Sequence, residues 1–167
     1  ASFMIDKALF GFENPMGWHL INLLLHLLVV SLVFKLFIRL GFPSMIALIG
    51  AIIFGVHPMH VESVAWVTER KDVLYSAFYF GALLQYMKYR KQKSRSTILS
   101  VYLLFVLALL SKIQAVSLPL SMVLIDYLKS GKIELKPIIS KWGFFLLSLV
   151  TGIAGIVFLK DEGSLAV

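Results

Sequence analysis

Residues 14–34, NPMGWHLINLLLHLLVVSLVF, contain no Asp, Glu, Lys or Arg, and their reading decides the fold. A helix that crosses a bilayer needs about 20 consecutive apolar residues, and this run supplies them. Outward from it, charge-free runs recur at 40–61, 73–87, 96–111, 113–125 and 142–159. In the second, Pro43, Gly50, Gly55 and Pro58 confine the expected helix to about residues 44–57. The run at 73–87 reaches spanning length once Tyr89 and the snorkelling Lys88 and Arg90 are added. The stretch 113–128 is short and contains Pro119, which predicts a tilted, broken or re-entrant helix. The expectation is an all-α, polytopic membrane helix bundle of about six hydrophobic segments, forming a single integral-membrane domain over residues 1–167.

Composition and charge agree with that class. The chain is 59% hydrophobic with a mean hydropathy of +0.89, above the roughly 45–50% apolar content of soluble domains. The short alternating segments of a membrane β-barrel are absent. There is no cysteine, which excludes disulfides and thiol chemistry. No basic region followed by an apolar core opens the chain, so no signal peptide is read. The net charge of +7 points to nucleic acid only until the charges are placed. With six alternating spans, eleven of the 16 Lys and Arg fall on one face, after the first span and in the loops 88–95 and 129–141, with only Asp126 and Glu134 beside them. The other seven of nine acids lie opposite, with Lys7, Arg70, Lys71, Lys112 and Lys160. The positive-inside rule makes the basic face cytoplasmic, its cations meeting lipid head groups, with no nucleic-acid partner expected. Residues 1–16 and 57–72 are then external, periplasmic in a bacterial inner membrane.

The polar exception is HPMHVESVAWVTERKDVL, residues 57–74. Ionisable groups beside hydrocarbon cost about 2.5–3.5 kcal/mol each, so a cluster of them marks a membrane boundary or a polar cavity. As a helix over about 59–71, the segment puts Val61, Val64, Ala65 and Thr68 on one side and Glu62, Trp66, Glu69 and Arg70 on the other. That reads as an external amphipathic helix with Trp66 at head-group depth. It is either an interfacial anchor or a grip for phosphate and hydroxyl groups. The spacing His57-x-x-His60-x-Glu62 is a weak metal signal because Pro58 follows the first His and no further ligand cluster occurs. No metal or other cofactor is expected, and a divalent cation stays as the lesser alternative. On the first span His19, Asn22 and His26 form one polar stripe, suited to interhelical hydrogen bonds or to lining a cavity. Lys112 interrupts a long charge-free stretch; it either snorkels or, with Arg70 and Lys71, meets an anion such as a phosphate. Asp126 and Tyr127 read as a helix terminus or interface anchor.

Three blocks carry a resemblance: GWHLINLLLH at 17–26, FGVHPMHVESVAWVTERKDVL at 54–74, and LLSKIQAVSLPLSMVLIDY at 109–127. Nearly all of residues 10–130 resembles the membrane region of tetratricopeptide-repeat proteins related to the transmembrane O-mannosyltransferases. The resemblance implies a glycosyltransferase fold of the GT-C type, which takes a sugar from a polyprenyl-phosphate donor and passes it to a protein hydroxyl outside the cytoplasm. It implies direct displacement with inversion, a carboxylate taking the acceptor proton while cations stabilise the departing lipid phosphate. Carried over, Glu62 and Asp72 are the catalytic candidates. His57, His60, Arg70, Lys71 and Lys112 are the phosphate-binding ones, and His19, Asn22 and Trp66 line the cavity. Members of such a family have a further span and an acidic, base-bearing loop before this region, of which residues 1–16 resemble the tail, and repeats after it. The expectation is therefore a fragment or a reduced relative. The alternative function is a non-catalytic integral-membrane subunit that packs within a larger membrane complex. A transporter or channel is a third reading, supported by the polar stripe and the broken helix alone.

Overall fold

The computed structural model describes residues 15–66, 69–132 and 135–161. Every regular element among them is helical: α1 (Pro15–Leu40), α2 (Ser44–Val56), a 3₁₀ turn (Pro58–His60), α3 (Val61–Ala65), α4 (Arg70–Gln92), α5 (Arg95–Ser111), a second 3₁₀ turn (Ile113–Ser117), α6 (Leu118–Ser130), α7 (Leu135–Ile139) and α8 (Trp142–Asp161). The chain divides into two compact units, Ala1–Ala77 and Phe78–Val167.

In the first unit α1 runs unbroken because nothing after Gly17 interrupts its Leu- and Val-rich stretch. It stops at Gly41, whose φ of +108° costs glycine little. The Gly41 and Phe42 N–H groups both donate to the Phe37 carbonyl, closing the last turn. Pro43 then precedes α2. The two helices meet through a stripe on α1, where Asn22, His26, Val29 and Val33 are buried. On α2 the matching positions are small: Ala47 and Ala51 are buried, and Gly55 stands where a Cβ would lie 3.0 Å from Val30. This four-residue spacing of small side chains lets helix backbones approach closely. The outward faces of both helices carry Leu20, Leu24, Leu27, Ile46, Ile49 and Ile53, all exposed.

α2 ends at His57 because a residue before proline is driven out of the helical region; His57 has φ −63° and ψ 131°. The expected continuous amphipathic helix over 59–71 is not what forms. A 3₁₀ turn and the five-residue α3 end at Trp66, which is extended (φ −91°, ψ 117°), and Glu69 and Arg70 open the next helix. A competing partner stands at the break. Carbonyls of Val64 and Trp66, which a continuing helix would direct to N–H groups four residues on, face the Asn22 side-chain amide. Thr68 of that expected face lies outside the described residues, as do the external residues 1–14.

In the second unit α4 and α5 are joined by two residues, Lys93 and Ser94. Lys93 takes the left-handed conformation (φ 52°) and its N–H caps Tyr89. α5 buries Thr97, Val101, Phe105 and Ala108 and exposes Leu99, Leu103, Val106 and Leu110, so it is apolar on both faces. Pro119 does not interrupt a helix. The segment after Lys112 is a 3₁₀ turn that hands over to α6 at Leu118, with proline in the first turn, where its missing N–H is harmless. Tyr79 fixes the junction, its hydroxyl lying 3.1 Å from Ser117 Oγ and 2.6 Å from Ser121 Oγ. The Tyr102 and Phe144 rings stack at 3.9 Å, close against Gly143, and anchor α8 to α5.

Of the six apolar segments, α1 alone, over Met16–Leu40, is long and apolar enough to cross a membrane by itself among the described residues. Ser44–Val56 and Pro58–Ala65 qualify together, but with a 52° bend. Arg95–Ser111 and Trp142–Phe158 are apolar and shorter.

Candidate functional site

The polar residues of the first unit gather where α1, the 3₁₀ turn, α3 and the start of α4 meet. Arg70 is the centre. Its side chain is large, charged and only 1% exposed, and a charge so placed needs partners. Nε donates to Asn22 Oδ1 at 2.6 Å, and Nη2 donates to the Trp18 carbonyl at 3.1 Å. Asn22, fully buried, spends its amide N–H groups on the carbonyls of Trp66 at 3.3 Å and Val64 at 3.5 Å. Those two bonds are long, so they position more than they stabilise. One asparagine thereby ties α1 to the end of α3 and the beginning of α4.

A histidine cluster lies along the same stripe. His26 donates through Nε2 to the Gly55 carbonyl at 2.9 Å, which fixes its tautomer because a carbonyl only accepts. The His60 ring sits 4.4 Å from Phe54, 5.8 Å from His26 and 6.2 Å from His57. His57 Nδ1 accepts from the Met59 N–H at 3.2 Å. Burial, then the neighbouring His26 and His57, hold the His60 imidazole below its ordinary value. Among the described residues no group of His, Asp and Glu could hold a metal ion. The histidines stack and hydrogen-bond instead.

The remaining candidates of this unit lie outside that buried knot. His57, Glu62, Lys71 and His19 are exposed, as is Trp66, with 63% of its surface open. Lys71 makes a loose 3.5 Å ion pair with Glu69. Asp72 is half-buried in the first turn of α4, and its backbone carbonyl accepts from Ser76 Oγ. The structure thus brings Asn22, Arg70 and the Trp66 backbone together, and His26 with His57 and His60. It separates Arg70 from the exposed face the helical wheel assigned to it. Lys112 belongs to the second unit, where it closes α5 in an extended conformation (φ −157°, ψ 135°) and its carbonyl caps the following turn at Ala115.

Sequence reasoning missed a second constellation. Asp126 accepts from Tyr86 Oη at 2.8 and 2.7 Å, from Arg90 Nε at 2.8 Å and from Lys141. Lys141 is 3% exposed and lies 5.5 Å from the Tyr86 ring centre. The available signal was an acid isolated in a hydrophobic helix, which needs a cation, and a lysine directly before the apolar Trp142–Phe158 run.

Residues 4–159 match the dolichyl-phosphate-mannose-protein mannosyltransferase family. Among individual relatives, the chain is 30% identical over 161 residues to protein O-mannosyl-transferase TMTC4 of Homo sapiens, a match covering 84% of this chain and 22% of that protein. It is 40% identical over 75 residues to protein O-mannosyl-transferase TMTC3 of Mus musculus, covering 45% and 8%. It is 34% identical over 108 residues to protein O-mannosyl-transferase Tmtc1 of Drosophila melanogaster, covering 64% and 12%. The chain therefore spans no more than about a fifth of the length of these relatives. No solved structure matches it. The family match runs through every polar group described above, and the chain belongs to the dolichyl-phosphate-mannose-protein mannosyltransferase family, a family of membrane proteins.

Proposed function

We propose that the chain is the membrane-embedded part of a glycosyltransferase that moves a sugar from a polyprenyl-phosphate donor to a protein hydroxyl on the non-cytoplasmic side. The family's donor is dolichyl-phosphate-mannose. The observation that carries the reading is the Arg70–Asn22 lock. It fixes the N-terminus of a 23-residue helix in the same unit as exposed Glu62, His57 and Lys71. The first N–H groups of such a helix carry partial positive charge and favour an anion. Lys71 and His57 add donors on the solvent side. In this assignment Arg70, being buried and committed to Asn22 and Trp18, positions the segment, and Lys71 with the helix terminus meets the phosphate. Glu62 or Asp72 takes the proton of the acceptor hydroxyl as its oxygen bonds to the sugar C1. The bond from C1 to the phosphate oxygen breaks, and the lipid phosphate leaves with the electron pair. Lys112, in the other unit, is the other basic group that the resemblance carries over.

The exposed apolar faces of α1, α2, α5 and α8 support a multi-pass bundle, as does the bias of Lys and Arg to one side.

The test is mannose transfer from dolichyl-phosphate-mannose in native membranes carrying the chain. Glu62→Gln and Lys71→Ala are each expected to slow transfer on the order of 10²-fold with the protein still folded. Wild-type transfer by both variants overturns the assignment.

A further inference from the structure

The second unit contains a cavity of about 450 Å³ that the proposed transfer does not use. It is within the size range of small-ligand sites and lies wholly among residues 86–144. In its lining Asp126 holds both Arg90 and Lys141, so among the described residues that line it one carboxylate faces two cations. Lys93 and Lys132, both exposed, stand on the wall and add two more. The hydroxyls of Tyr89, Tyr102 and Ser140 add hydrogen-bonding groups to the same lining.

We propose that this cavity binds an organic phosphate, the chemistry shared by an anionic phospholipid head group and a soluble glycerophosphate. A phosphate offers acceptor oxygens to several fixed donors at once and neutralises the excess charge. A second observation favours the lipid as its source. The α7–α8 junction that supplies Ile138, Ser140 and Lys141 to the cavity is flanked by Leu135, Ile139 and Trp142, exposed by 66–74% of their surface. An exposed tryptophan and aliphatic side chains beside a basic pocket are what a segment lying at head-group depth presents.

The test uses the whole chain in phosphatidylcholine nanodiscs containing a minor fraction of phosphatidylglycerol, with bound lipid read by native mass spectrometry. Titration with glycerol 1-phosphate in detergent forms the soluble arm. Phosphatidylglycerol is expected to be retained over phosphatidylcholine. The double variant Lys93→Gln/Lys132→Gln is expected to lose about 30-fold in affinity, at about 1 kcal/mol per surface cation. The control Lys88→Gln/Arg95→Gln removes two exposed cations that do not line the cavity and leaves glycerol 1-phosphate affinity in the soluble arm within a few-fold. Matching losses in the soluble arm identify the phosphate itself as the ligand, and binding in the lipid arm alone identifies the membrane as its source. No preference for phosphatidylglycerol together with no glycerol-phosphate binding overturns the proposal. So do equal losses in the two double variants. All four substituted positions are exposed, and an unchanged melting temperature separates lost binding from lost fold.

Discussion

Asn22 is the residue on which the first unit turns, because it satisfies three groups at once: the Arg70 guanidinium and the carbonyls of Val64 and Trp66. Removing one partner of a buried polar group costs roughly 1–3 kcal/mol and more when the group is charged. Asn22→Ala is therefore expected to lower stability by about 3 kcal/mol, measured as the loss of melting temperature in detergent. Asn22→Asp keeps the acceptor for Arg70 but turns a carboxylate oxygen toward two carbonyl oxygens, so it rescues only part of that loss. A full rescue by Asp would show that the carbonyl contacts are dispensable. His60 makes a pH-dependent contribution. Its folded value is held below about 6.5, the ordinary histidine value. Between that lowered value and 6.5 the unfolded chain binds more protons than the folded one. Stability is therefore full above about pH 6.5 and falls as the pH drops toward the lowered value. His26 faces His60 from α1 and His57 from its own turn. Melting temperature followed from pH 7.5 to 5.5 is expected to decline in the native chain and to decline less in His60→Gln. Identical slopes would assign the effect to other groups.

At the scale of elements, the α1–α2 pair depends on small side chains rather than on hydrophobicity. Ala51 is 2% exposed, and its neighbours on α2 that face outward are all large. Ala51→Leu forces the helices apart and is expected to cost about 1–3 kcal/mol, while Ile52→Leu, on the exposed side, is neutral. Equal effects from both would mean the two helices do not pack through this face. The bounds of α2 were legible in the residues themselves, whereas α1 runs to Leu40 rather than to the expected Phe34, because Lys35 and Arg39 do not stop a helix. Gly41 with Pro43, Pro58 after His57, and Gly131 in the left-handed conformation (φ 71°) are local signals that act on the backbone whatever surrounds it. The break at Trp66 was not legible, because it depends on an amide forty-four residues away, and helical periodicity has no access to such a partner. For the same reason the wheel placed Arg70 on the open face beside Trp66, whereas the helix ends at Trp66 and Arg70 is buried while Trp66 is exposed. The site was readable as a set of rare residues in a charge-poor background. Its division into a buried lock and an exposed rim required coordinates. Asp126 shows the limit from the other side: its three partners come from α4 and from the start of α8, and none is a neighbour in sequence.

For the molecule as a whole, orientation is the property from which the proposed function follows, since donor lipid and acceptor must meet Glu62 and Lys71 on one side. Two independent features bear on it. Lys and Arg concentrate in 88–95 and 129–141 while the acids concentrate elsewhere, and that asymmetry orients spans at insertion. The exposed apolar side chains of α5, and those of α8 with Leu146, Leu149, Ile153 and Ile156, are the surface that the proposed multi-pass bundle would turn to lipid. The chain has no cysteine, so a single introduced thiol reports its own position without background. Met59→Cys and Trp66→Cys, both at exposed positions, are expected to react with a membrane-impermeant maleimide applied to the outside of intact cells. Lys93→Cys and Lys132→Cys are expected to react only after the membrane is opened. Ile49→Cys, on the exposed apolar face of α2, is expected to stay unreactive in both conditions, since a thiol in hydrocarbon ionises poorly and the thiolate is the reacting species. Reaction of the Met59 and Lys93 variants from the same side would remove the alternation of spans between them. The non-cytoplasmic assignment of the proposed transfer would fall with that alternation.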